Sequence, residues 1–357
     1  MTERPEPRQD LALLPSYHSP QVDVEVRLNT NEAPDGPPAE FMAALAAAVA
    51  ALPLHRYPDR SAKKLRNALA QRYGRTMGEV FVANGSNEVL QSLLLTYGGP
   101  GRSLALFEPT YGMHAQIART TGTAVLARPR QPDFSLAPET VAEVVETEQP
   151  DVVFLCSPNN PTGAQDPPGL VADTLAQVES YGGLLLVDEA YGQFADQSAV
   201  SLIGESRSLV VSRTFSKTWA LAGVRLGYLL GPAWCVSELE KASLPYHLGA
   251  LTQAAGLLAL DYQEEMDARV DFLCSERQRV FSALETMPVT VWPSDTNFIL
   301  FRPEEKEGRV VWQELLDQSI LIRDFSAEPG LAGCLRVTMG TSQENNRFLA
   351  ALEEVLS

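Results

Sequence analysis

The middle of the chain alternates between short apolar runs and segments in which apolar residues recur at helical spacing. The apolar runs predict strands at 80–83, 103–107, 124–127, 151–156, 183–187, 208–212 and 226–230. Two runs, 152–155 and 184–187, are apolar throughout, which is typical of strands buried on both faces. The segments between predict helices at 88–97, 111–120, 138–147 and 168–180. This alternation predicts an α/β fold with a mostly parallel seven-stranded sheet and helices on both faces.

The C-terminal third has a less regular pattern. A long helical stretch from 252 to about 284 leads to predicted strands at 289–292, 297–301, 320–323 and 334–339 and helices at 310–318 and 343–355. At 357 residues the chain exceeds the usual size of a single core, so two domains are expected. Residues 39–264 are predicted to form the large domain. Residues 265–357 form a smaller α+β domain, onto which the irregular, proline-rich residues 1–38 are expected to fold.

Composition and charge restrict the class of partner. Apolar residues make up 45% and charged residues 20% of the chain, which is typical of a soluble globular protein. The net charge of −17 disfavours nucleic acid and anionic membranes as partners, since both attract basic patches. An anionic small substrate remains compatible, because a few arginines can form a local positive pocket. The polar N-terminus lacks the pattern of a secretory signal, so a cytoplasmic location is expected.

The cysteines and histidines give no sign of a metal or disulfide framework. The chain has four of each, and all eight lie far apart in the sequence. No Cys-x-x-Cys pair is present. The sequence therefore predicts no metal ligand set, and the cysteines are expected to be small buried apolar residues.

Lys217 is the most informative single residue. It ends the polar turn Arg213-Thr214-Phe215-Ser216-Lys217, directly after the apolar run 208–211. The chain has only five lysines against twenty-three arginines. Arginine cannot lose its proton in a protein, whereas a lysine amine can form a Schiff base once burial or nearby cations lower its pKa. Arg225 could be such a cation, although an isolated lysine is also compatible with a solvated surface charge.

The turns after three other predicted strands carry polar residues that suit ligand binding, since ligands of open α/β sheets bind at the carboxyl ends of strands. After strand 80–83, Gly85 permits a tight turn, and the N–H groups of Ser86 and Asn87 could bind an anion or simply cap a helix. After strand 151–156, two prolines hold Asn160 at the strand end. Asp188 could bind a protonated ring nitrogen. It could also be the acid of a nucleotidase, but the chain lacks the Gly-Lys dipeptide of a Walker A loop.

Taken together, three segments resemble the active-site motifs of fold-type I pyridoxal-phosphate aminotransferases. They are residues 157–163 (Ser-Pro-Asn-Asn-Pro-Thr-Gly), Asp188-x-x-Tyr191, and Thr214-x-Ser216-Lys217 followed by Arg225. Segments 27–32, 56–59, 109–113, 245–248 and 335–341 further resemble the histidinol-phosphate branch of that family. The resemblance implies the fold-type I architecture and pyridoxal 5'-phosphate as cofactor. It also implies transamination of L-histidinol phosphate with 2-oxoglutarate, giving imidazole-acetol phosphate and L-glutamate, a step of histidine biosynthesis.

The resemblance also implies roles for the residues that bind the cofactor. Lys217 would hold the cofactor covalently and move the substrate proton, and Asp188 would keep the pyridine nitrogen protonated. Asn160 and Tyr191 would hydrogen-bond the phenolic oxygen of the ring, while Tyr111 would stack on its face. The cofactor phosphate would be bound by a charge-assisted set of groups from Gly85, Ser86, Asn87, Thr214, Ser216 and Arg225.

The remaining matched residues concern the substrate and a second subunit. Arg336 matches the arginine that binds the α-carboxylate of glutamate, and Arg323 matches a second anion-binding arginine. Together with Tyr17 they would also bind the substrate phosphate. Arg323 has an alternative interpretation, as a surface ion pair with its neighbour Asp324. Tyr57 matches a tyrosine that reaches the cofactor phosphate of the neighbouring subunit, so a homodimer with shared sites is expected.

Other functions share parts of this pattern. An aromatic amino-acid aminotransferase needs the same catalytic core but binds an apolar ring in place of the phosphate and imidazole. A phosphothreonine-type decarboxylase on the same fold is a second alternative. A non-catalytic cofactor-binding regulator is a third, disfavoured because binding alone does not need the full set of proton-transfer residues.

Overall fold

The computed structural model describes residues 4–6, 8–12, 14 and 20–357, and it contains two β-sheets flanked by helices. The strands are β1 Val26–Leu28, β2 Val80–Ala83, β3 Ser103–Glu108, β4 Ala124–Pro129, β5 Val152–Cys156, β6 Leu184–Asp188, β7 Leu209–Thr214, β8 Gly227–Leu230, β9 Val289–Val291, β10 Phe298–Pro303, β11 Ile320–Asp324 and β12 Leu335–Thr338. The helices are α1 Gln9–Ala12, α2 Ala39–Ala50, α3 Lys63–Arg72, α4 Ser86–Tyr97, α5 Met113–Thr121, α6 Pro138–Glu148, α7 Leu170–Tyr181, α8 Ala233–Ala242, α9 Ala250–Ala259, α10 Gln263–Leu284, α11 Gly308–Asp317 and α12 Ser342–Leu356.

The large sheet has seven strands in the order β2-β8-β7-β6-β5-β3-β4. The five strands from β7 to β4 run parallel to one another, whereas β8 runs antiparallel to both β2 and β7. The predicted mostly parallel, seven-stranded sheet is therefore confirmed. The parallel arrangement brings the carboxyl ends of β3, β5, β6 and β7 to one edge of the sheet, where ligand-binding residues are expected.

Both faces of the large sheet are covered, as the apolar runs predict. Along β5, Val152 and Phe154 belong to one hydrophobic core, together with residues of α4, α5 and α8. Val153 and Leu155 alternate with them and belong to the opposite core, with residues of α3, α6 and α7. Successive side chains of a strand point to opposite faces, so a strand between two layers of helices must be apolar at every position.

The small sheet has five strands in the order β1-β11-β12-β10-β9. Strand β1 pairs in parallel with β11, with Val26 opposite Ile320, and the other neighbours are antiparallel. The N-terminal segment thus contributes a strand to this sheet, which corrects the expectation of an irregular segment and agrees with its docking there. The division into domains at 38/39 and 264/265 stays a prediction, and its second boundary falls within α10.

Three helical segments differ from the prediction. The expected stretch 252–284 is two helices, α9 and α10, interrupted at Tyr262, whose ring packs edge-on against Phe41. Helix α3 was missed because four of its ten residues are basic, although Leu65 and Leu69 bury one face of it. Helix α8 was also missed. Among the described residues, the helices are too short or too polar to cross a membrane.

Candidate active site

A cavity of about 910 Å³ opens at the carboxyl ends of the large-sheet strands and is closed on another side by residues of the small sheet. Residues of the segment that follows β1 also line it. Most residues singled out in the sequence meet in this cavity, namely Ser86, Asn87, Tyr111, Asn160, Asp188, Tyr191, Thr214, Ser216, Lys217, Arg225, Arg323 and Arg336.

Lys217 lies three residues after the end of β7 and lines the cavity. Its Nζ donates a hydrogen bond to the carbonyl oxygen of Thr30, at 3.0 Å, and lies 5.9 Å from the ring centroid of Tyr191. The chain that follows β1 therefore passes close to the amine. A neutral carbonyl as partner leaves the amine able to lose its proton, which a carboxylate partner would oppose.

The environment of Lys217 favours the neutral amine. Burial and the positive charges of Arg336 and Arg225 together lower its pKa to about 7, while Glu32 acts in the opposite direction. The expected contribution of Arg225 is present, but burial is the larger cause. A lysine with a pKa near 7 is a nucleophile at neutral pH, as covalent chemistry at the amine requires.

Asp188 is the last residue of β6, and its buried carboxylate is held by groups on both oxygens. The hydroxyl of Ser212 and the backbone N–H of Ala190 donate to Oδ1, at 3.0 and 3.1 Å. The Nε2 atom of His114 lies 2.9 Å from Oδ2. These contacts fix the plane of the carboxylate at the cavity surface, as is needed to bind a ring nitrogen in one orientation.

His114 was missed in the sequence, where the histidines and cysteines were judged only by their separation. The fold brings the donor atoms of His114, Cys156 and Asp188 within 4.8 Å of one another. Burial and the charge of Asp188 raise the pKa of the Cys156 thiol to about 12, which disfavours the thiolate that a metal would need. No local signal pointed to His114, because its contact with Asp188 joins residues 74 positions apart in the chain.

Glu189, the next residue after Asp188, belongs to a separate buried cluster. Its carboxylate accepts hydrogen bonds from the guanidinium of Arg213, with Nε at 3.0 Å, and from the hydroxyl of Ser198. The N–H of Ala199 donates to the same carboxylate at 2.6 Å. Because successive residues of an extended chain point to opposite sides, one of these two neighbouring carboxylates faces the cavity and the other is paired within the protein.

The turn after β2 forms a cradle of backbone N–H groups. Gly85 adopts φ +83° and precedes α4, whose first turn presents Ser86 and Asn87 to the cavity. A Cβ on Gly85 would lie 2.5 Å from Nη2 of Arg225, and a Cβ on Gly227 would lie 2.3 Å from the Ser86 nitrogen. The absence of side chains at both glycines therefore leaves room for the Arg225 guanidinium and the Ser86 N–H group to lie close to each turn. An N–H-rich helix start beside a guanidinium is a site for a phosphate.

Two hydroxyls extend this cradle. Thr214 donates to the Ser216 hydroxyl at 3.0 Å, and Nη1 of Arg225 donates to the same oxygen at 3.4 Å. Thr214 and Ser216 are buried, and both line the cavity. The hydroxyls, the guanidinium and the N–H groups of α4 thus converge, as the resemblance implied for the cofactor phosphate.

Arg323 and Arg336 lie directly opposite each other on β11 and β12 and line the cavity. Arg336 donates to the side-chain oxygen of Asn160 and, at 3.0 Å, to the carbonyl of Asn29. Like charges at directly opposed positions of a sheet are unfavourable. Two guanidinium groups at one side of a cavity suit an anionic ligand.

Both arginines lie close to one aromatic ring. The guanidinium carbons of Arg323 and Arg336 lie 5.5 and 5.2 Å from the ring centroid of Phe325. The alternative ion pair of Arg323 with Asp324 is not formed, since Asp324 pairs with Arg309 at 2.8 Å. Stacking on an aromatic face holds a guanidinium in place without neutralising its charge.

Tyr111 and Tyr191 are held at the cavity by side-chain amides. The hydroxyl of Tyr111 donates to Oδ1 of Asn87, at 3.2 Å. The hydroxyl of buried Tyr191 accepts a hydrogen bond from Nδ2 of Asn31, at 2.7 Å. Asn31 is a further residue to which the sequence analysis gave no role, although it lies in the segment 27–32 that carries part of the resemblance.

One predicted residue, Tyr57, lies away from the cavity. Tyr57 is 81% exposed, stacks on Tyr246 with ring centroids 4.7 Å apart, and does not line the cavity. The large side chains of Leu54 and Leu244 are also exposed, at 67% and 78%. Tyr17 lies outside the described residues.

Comparisons with known proteins match nearly the whole chain. The family model of class I and II aminotransferases matches residues 23–352. The chain is 43% identical to a histidinol-phosphate aminotransferase of Frankia casuarinae, over 98% of this chain and 90% of that protein. It is 45% identical to one of Mycolicibacterium smegmatis, over 95% and 90%. A crystal structure of histidinol-phosphate aminotransferase from Sinorhizobium meliloti, in complex with pyridoxal-5'-phosphate, has the same fold (TM-score 0.90, 23% identity, 99% and 98% covered).

Proposed function

Because the chain belongs to the class I and II aminotransferase family, we propose that it transfers the amino group of L-histidinol phosphate to 2-oxoglutarate. The products are imidazole-acetol phosphate and L-glutamate, and the cofactor is pyridoxal 5'-phosphate. The observation that carries the proposal is the pair of opposed arginines, Arg323 and Arg336, in the cavity that contains Lys217. Relatives more than 40% identical over nearly the full length, named for this reaction, support the same substrate.

The described residues fit this cofactor. Its phosphate suits the cradle next to Gly85, where a side chain larger than hydrogen would collide with Arg225. Its pyridine nitrogen suits the carboxylate of Asp188, whose position is fixed by His114. When bound, pyridoxal 5'-phosphate supplies an electron sink that stabilises negative charge on the substrate Cα. Asp188 supports this chemistry because a carboxylate keeps a neighbouring ring nitrogen protonated.

Lys217 performs the covalent and proton-transfer work in the proposed reaction. Its Nζ would hold the cofactor covalently at rest and, once freed by the substrate amine, would move the proton of the substrate Cα. A base works best when its pKa lies near the working pH, and the pKa of Lys217 is lowered to about 7. Arg336 and Arg225 contribute to that value and also bind anions, so anion binding and amine basicity are linked.

The two arginines of the small sheet bind each substrate in turn. Arg323 and Arg336 provide planar, bidentate donors that suit the phosphate of the amino donor and a carboxylate of the acceptor. A donor with a neutral tail would lack the charge-assisted contacts that a phosphate makes with these guanidinium groups, and enzyme sites built for such contacts discriminate strongly against analogues without them. Arg336 is buried, which strengthens such contacts.

A comparison of three amino donors tests the proposal. The value of kcat/KM for histidinol phosphate, with 2-oxoglutarate as acceptor, is expected to exceed those for histidinol and phenylalanine by at least about a hundredfold. Equal or better use of phenylalanine would replace the proposal by an aromatic aminotransferase. Release of carbon dioxide from a phosphorylated amino acid, without amino transfer in either half-reaction, would replace it by a decarboxylase.

We further propose that the protein is a homodimer with shared sites, acting in the cytoplasm. The exposed Tyr57–Tyr246 stack, with Leu54 and Leu244 close in sequence to it, supports an interface there, since large exposed apolar groups favour association. Mixing inactive Tyr57→Ala and Lys217→Ala variants is expected to restore about a quarter of the wild-type activity, because hybrid dimers contain one intact site. No recovery after verified subunit exchange would contradict shared sites.

A further inference from the structure

Asn31 is held at four points between the two sheets. This buried residue follows β1 and adopts φ +56°, a left-handed conformation that asparagine tolerates better than most residues. Its N–H donates to Oγ1 of Thr338 at 3.0 Å, and its carbonyl accepts from Nδ2 of Asn297 at 3.2 Å. Its Oδ1 accepts from Oγ1 of Thr338 at 2.9 Å, and its Nδ2 donates to the Tyr191 hydroxyl at 2.7 Å.

The donors and acceptors in this network fix its direction. A backbone N–H can only donate, so the Thr338 oxygen accepts from the Asn31 backbone. In the structure the single hydroxyl hydrogen of Thr338 is donated to Oδ1 of Asn31, and Nδ2 of the same amide donates to Tyr191. Tyr191 accepts this bond, and its own hydrogen remains available for an acceptor in the cavity that its side chain lines.

We propose that Asn31 is a positioning residue that makes the Tyr191 hydroxyl a hydrogen-bond donor to the phenolic oxygen of the bound cofactor. This inference rests on the proposed function. Asn31 acts through Tyr191, whose ring lies 5.9 Å from Nζ of Lys217. Because Asn31 also contacts Thr338 of β12, it connects the small sheet to the Tyr191 hydroxyl. An amide at position 31 is needed because it combines an acceptor for Thr338 with a donor for Tyr191.

The consequence is measurable in the colour of the holoenzyme. A donor to the phenolic oxygen stabilises negative charge on that oxygen, so the linkage between Lys217 and the cofactor gives up its proton at lower pH. Without the donor, the linkage keeps its proton to higher pH. The midpoint of the pH-dependent change in visible absorbance therefore reports the hydrogen bond from Tyr191, independently of turnover.

The test compares holoenzyme variants by this midpoint. Asn31→Gly removes the amide but suits the positive φ, and is expected to raise the midpoint by about half to one pH unit. Tyr191→Phe is expected to raise it by about one to two units. The double variant should match Tyr191→Phe alone, because Asn31 acts only through that hydroxyl. Thr338→Val removes the hydroxyl that donates to Oδ1 of Asn31, and it should raise the midpoint less than Asn31→Gly does. It serves as the test of the proposed role of Asn31 if Asn31→Gly does not fold.

Asn297→Ala is the matched control, since Asn297 holds the backbone of Asn31 but not its amide. It should lower the melting temperature and leave the midpoint unchanged. The inference is overturned if Asn31→Gly has the wild-type midpoint, if its shift adds to that of Tyr191→Phe, or if Asn297→Ala shifts the midpoint equally. A wild-type protein that shows no pH-dependent visible band with pyridoxal 5'-phosphate would instead overturn the proposed function.

Discussion

The charged groups on the two sides of the cavity have different kinds of neighbours. The floor is formed by Asp188, Lys217 and the cradle next to α4, and the buried carboxylate there, Asp188, contacts Ser212 of β7 and His114 of α5. The wall, formed by Arg323 and Arg336 of the small sheet, places two like charges opposite each other. Two of the hydrogen bonds of Arg336 go to the side-chain oxygen of Asn160 and the carbonyl of Asn29.

The difference matches two kinds of ligand. A resident cofactor is present throughout turnover, so the floor can be balanced around it with several partners for each group. In the proposed reaction the substrates alternate, and the wall would bind a phosphate in one half-reaction and a carboxylate in the other. Guanidinium groups held near Phe325 and Asn160 offer planar donors that suit either anion.

The largest expected effect comes from the floor. Lys217→Arg keeps the positive charge but is expected to abolish covalent attachment and to lower kcat by at least about 10⁴-fold. Borohydride reduction of the wild-type holoenzyme, followed by peptide mapping, should label Lys217. Lys241→Arg, at an exposed lysine paired with Glu238, is the control and should keep full activity. A label on Lys241 would remove the basis of the mechanism.

Substitutions of Asp188 and Glu189 test which of these adjacent carboxylates serves catalysis and which serves stability. Glu189→Gln leaves the buried Arg213 without its anion and is expected to lower the free energy of unfolding by about 3–5 kcal/mol. Asp188→Asn keeps the hydrogen-bonding shape and is expected to lose turnover with a smaller loss of stability. Urea unfolding of the two apoproteins and turnover of the two holoenzymes measure this. The reverse order of stabilities would mean that Asp188, not Glu189, holds the fold.

On the wall, Arg323→Ala is expected to lower kcat/KM for histidinol phosphate by about a hundredfold, since a charge-assisted phosphate contact is lost. Turnover of phenylalanine should change by less than about tenfold, because its ring needs no such contact. Arg128→Ala, which breaks a surface ion pair with Glu148, serves as the control and should change neither. Equal losses for both donors would assign Arg323 to the reaction centre rather than to phosphate recognition.

The smallest effect concerns pH. Below pH 7 the rate at which the apoprotein captures the cofactor is expected to rise about tenfold per unit with the neutral fraction of Lys217, and to level off above its pKa of about 7. In the unfolded chain the lysine keeps its proton to higher pH, so this group should make the apoprotein more stable as pH rises above 7. A capture rate that still increases tenfold between pH 9 and 10 would mean that the pKa of Lys217 is not lowered.

The floor could be predicted from sequence because its residues lie in short turns directly after apolar strands. Lys217 and Asp188 were found in this way, and the parallel sheet brings them together. Asn31 and His114 were not found, because their contacts depend on long-range packing against Tyr191 and Asp188. Tertiary contacts of this kind leave no local pattern in the sequence.

The wall was identified by resemblance alone. Nothing local to Arg323 or Arg336 predicts that β11 and β12 pair with these two residues in register. The antiparallel direction of β8 was likewise invisible in its apolar pattern, since apolar runs carry no information about strand direction. The roles of the site residues and the domain boundaries stay predictions.

The opposite orientations of Asp188 and Glu189 also bear on how this gene can change length. Loss of a single codon within β6 would move the residues after it one place back along the strand, so Glu189 would take the cavity-facing place of Asp188, and Asp188 would point to the opposite face. Ala190 would take the place of Glu189, and Arg213 would lose its anion. The longer side chain of Glu189 would also change the distance to the cofactor nitrogen that Asp188 is proposed to bind. Natural variants should therefore gain or lose residues in the loops flanking β6 and preserve the length of the strand itself.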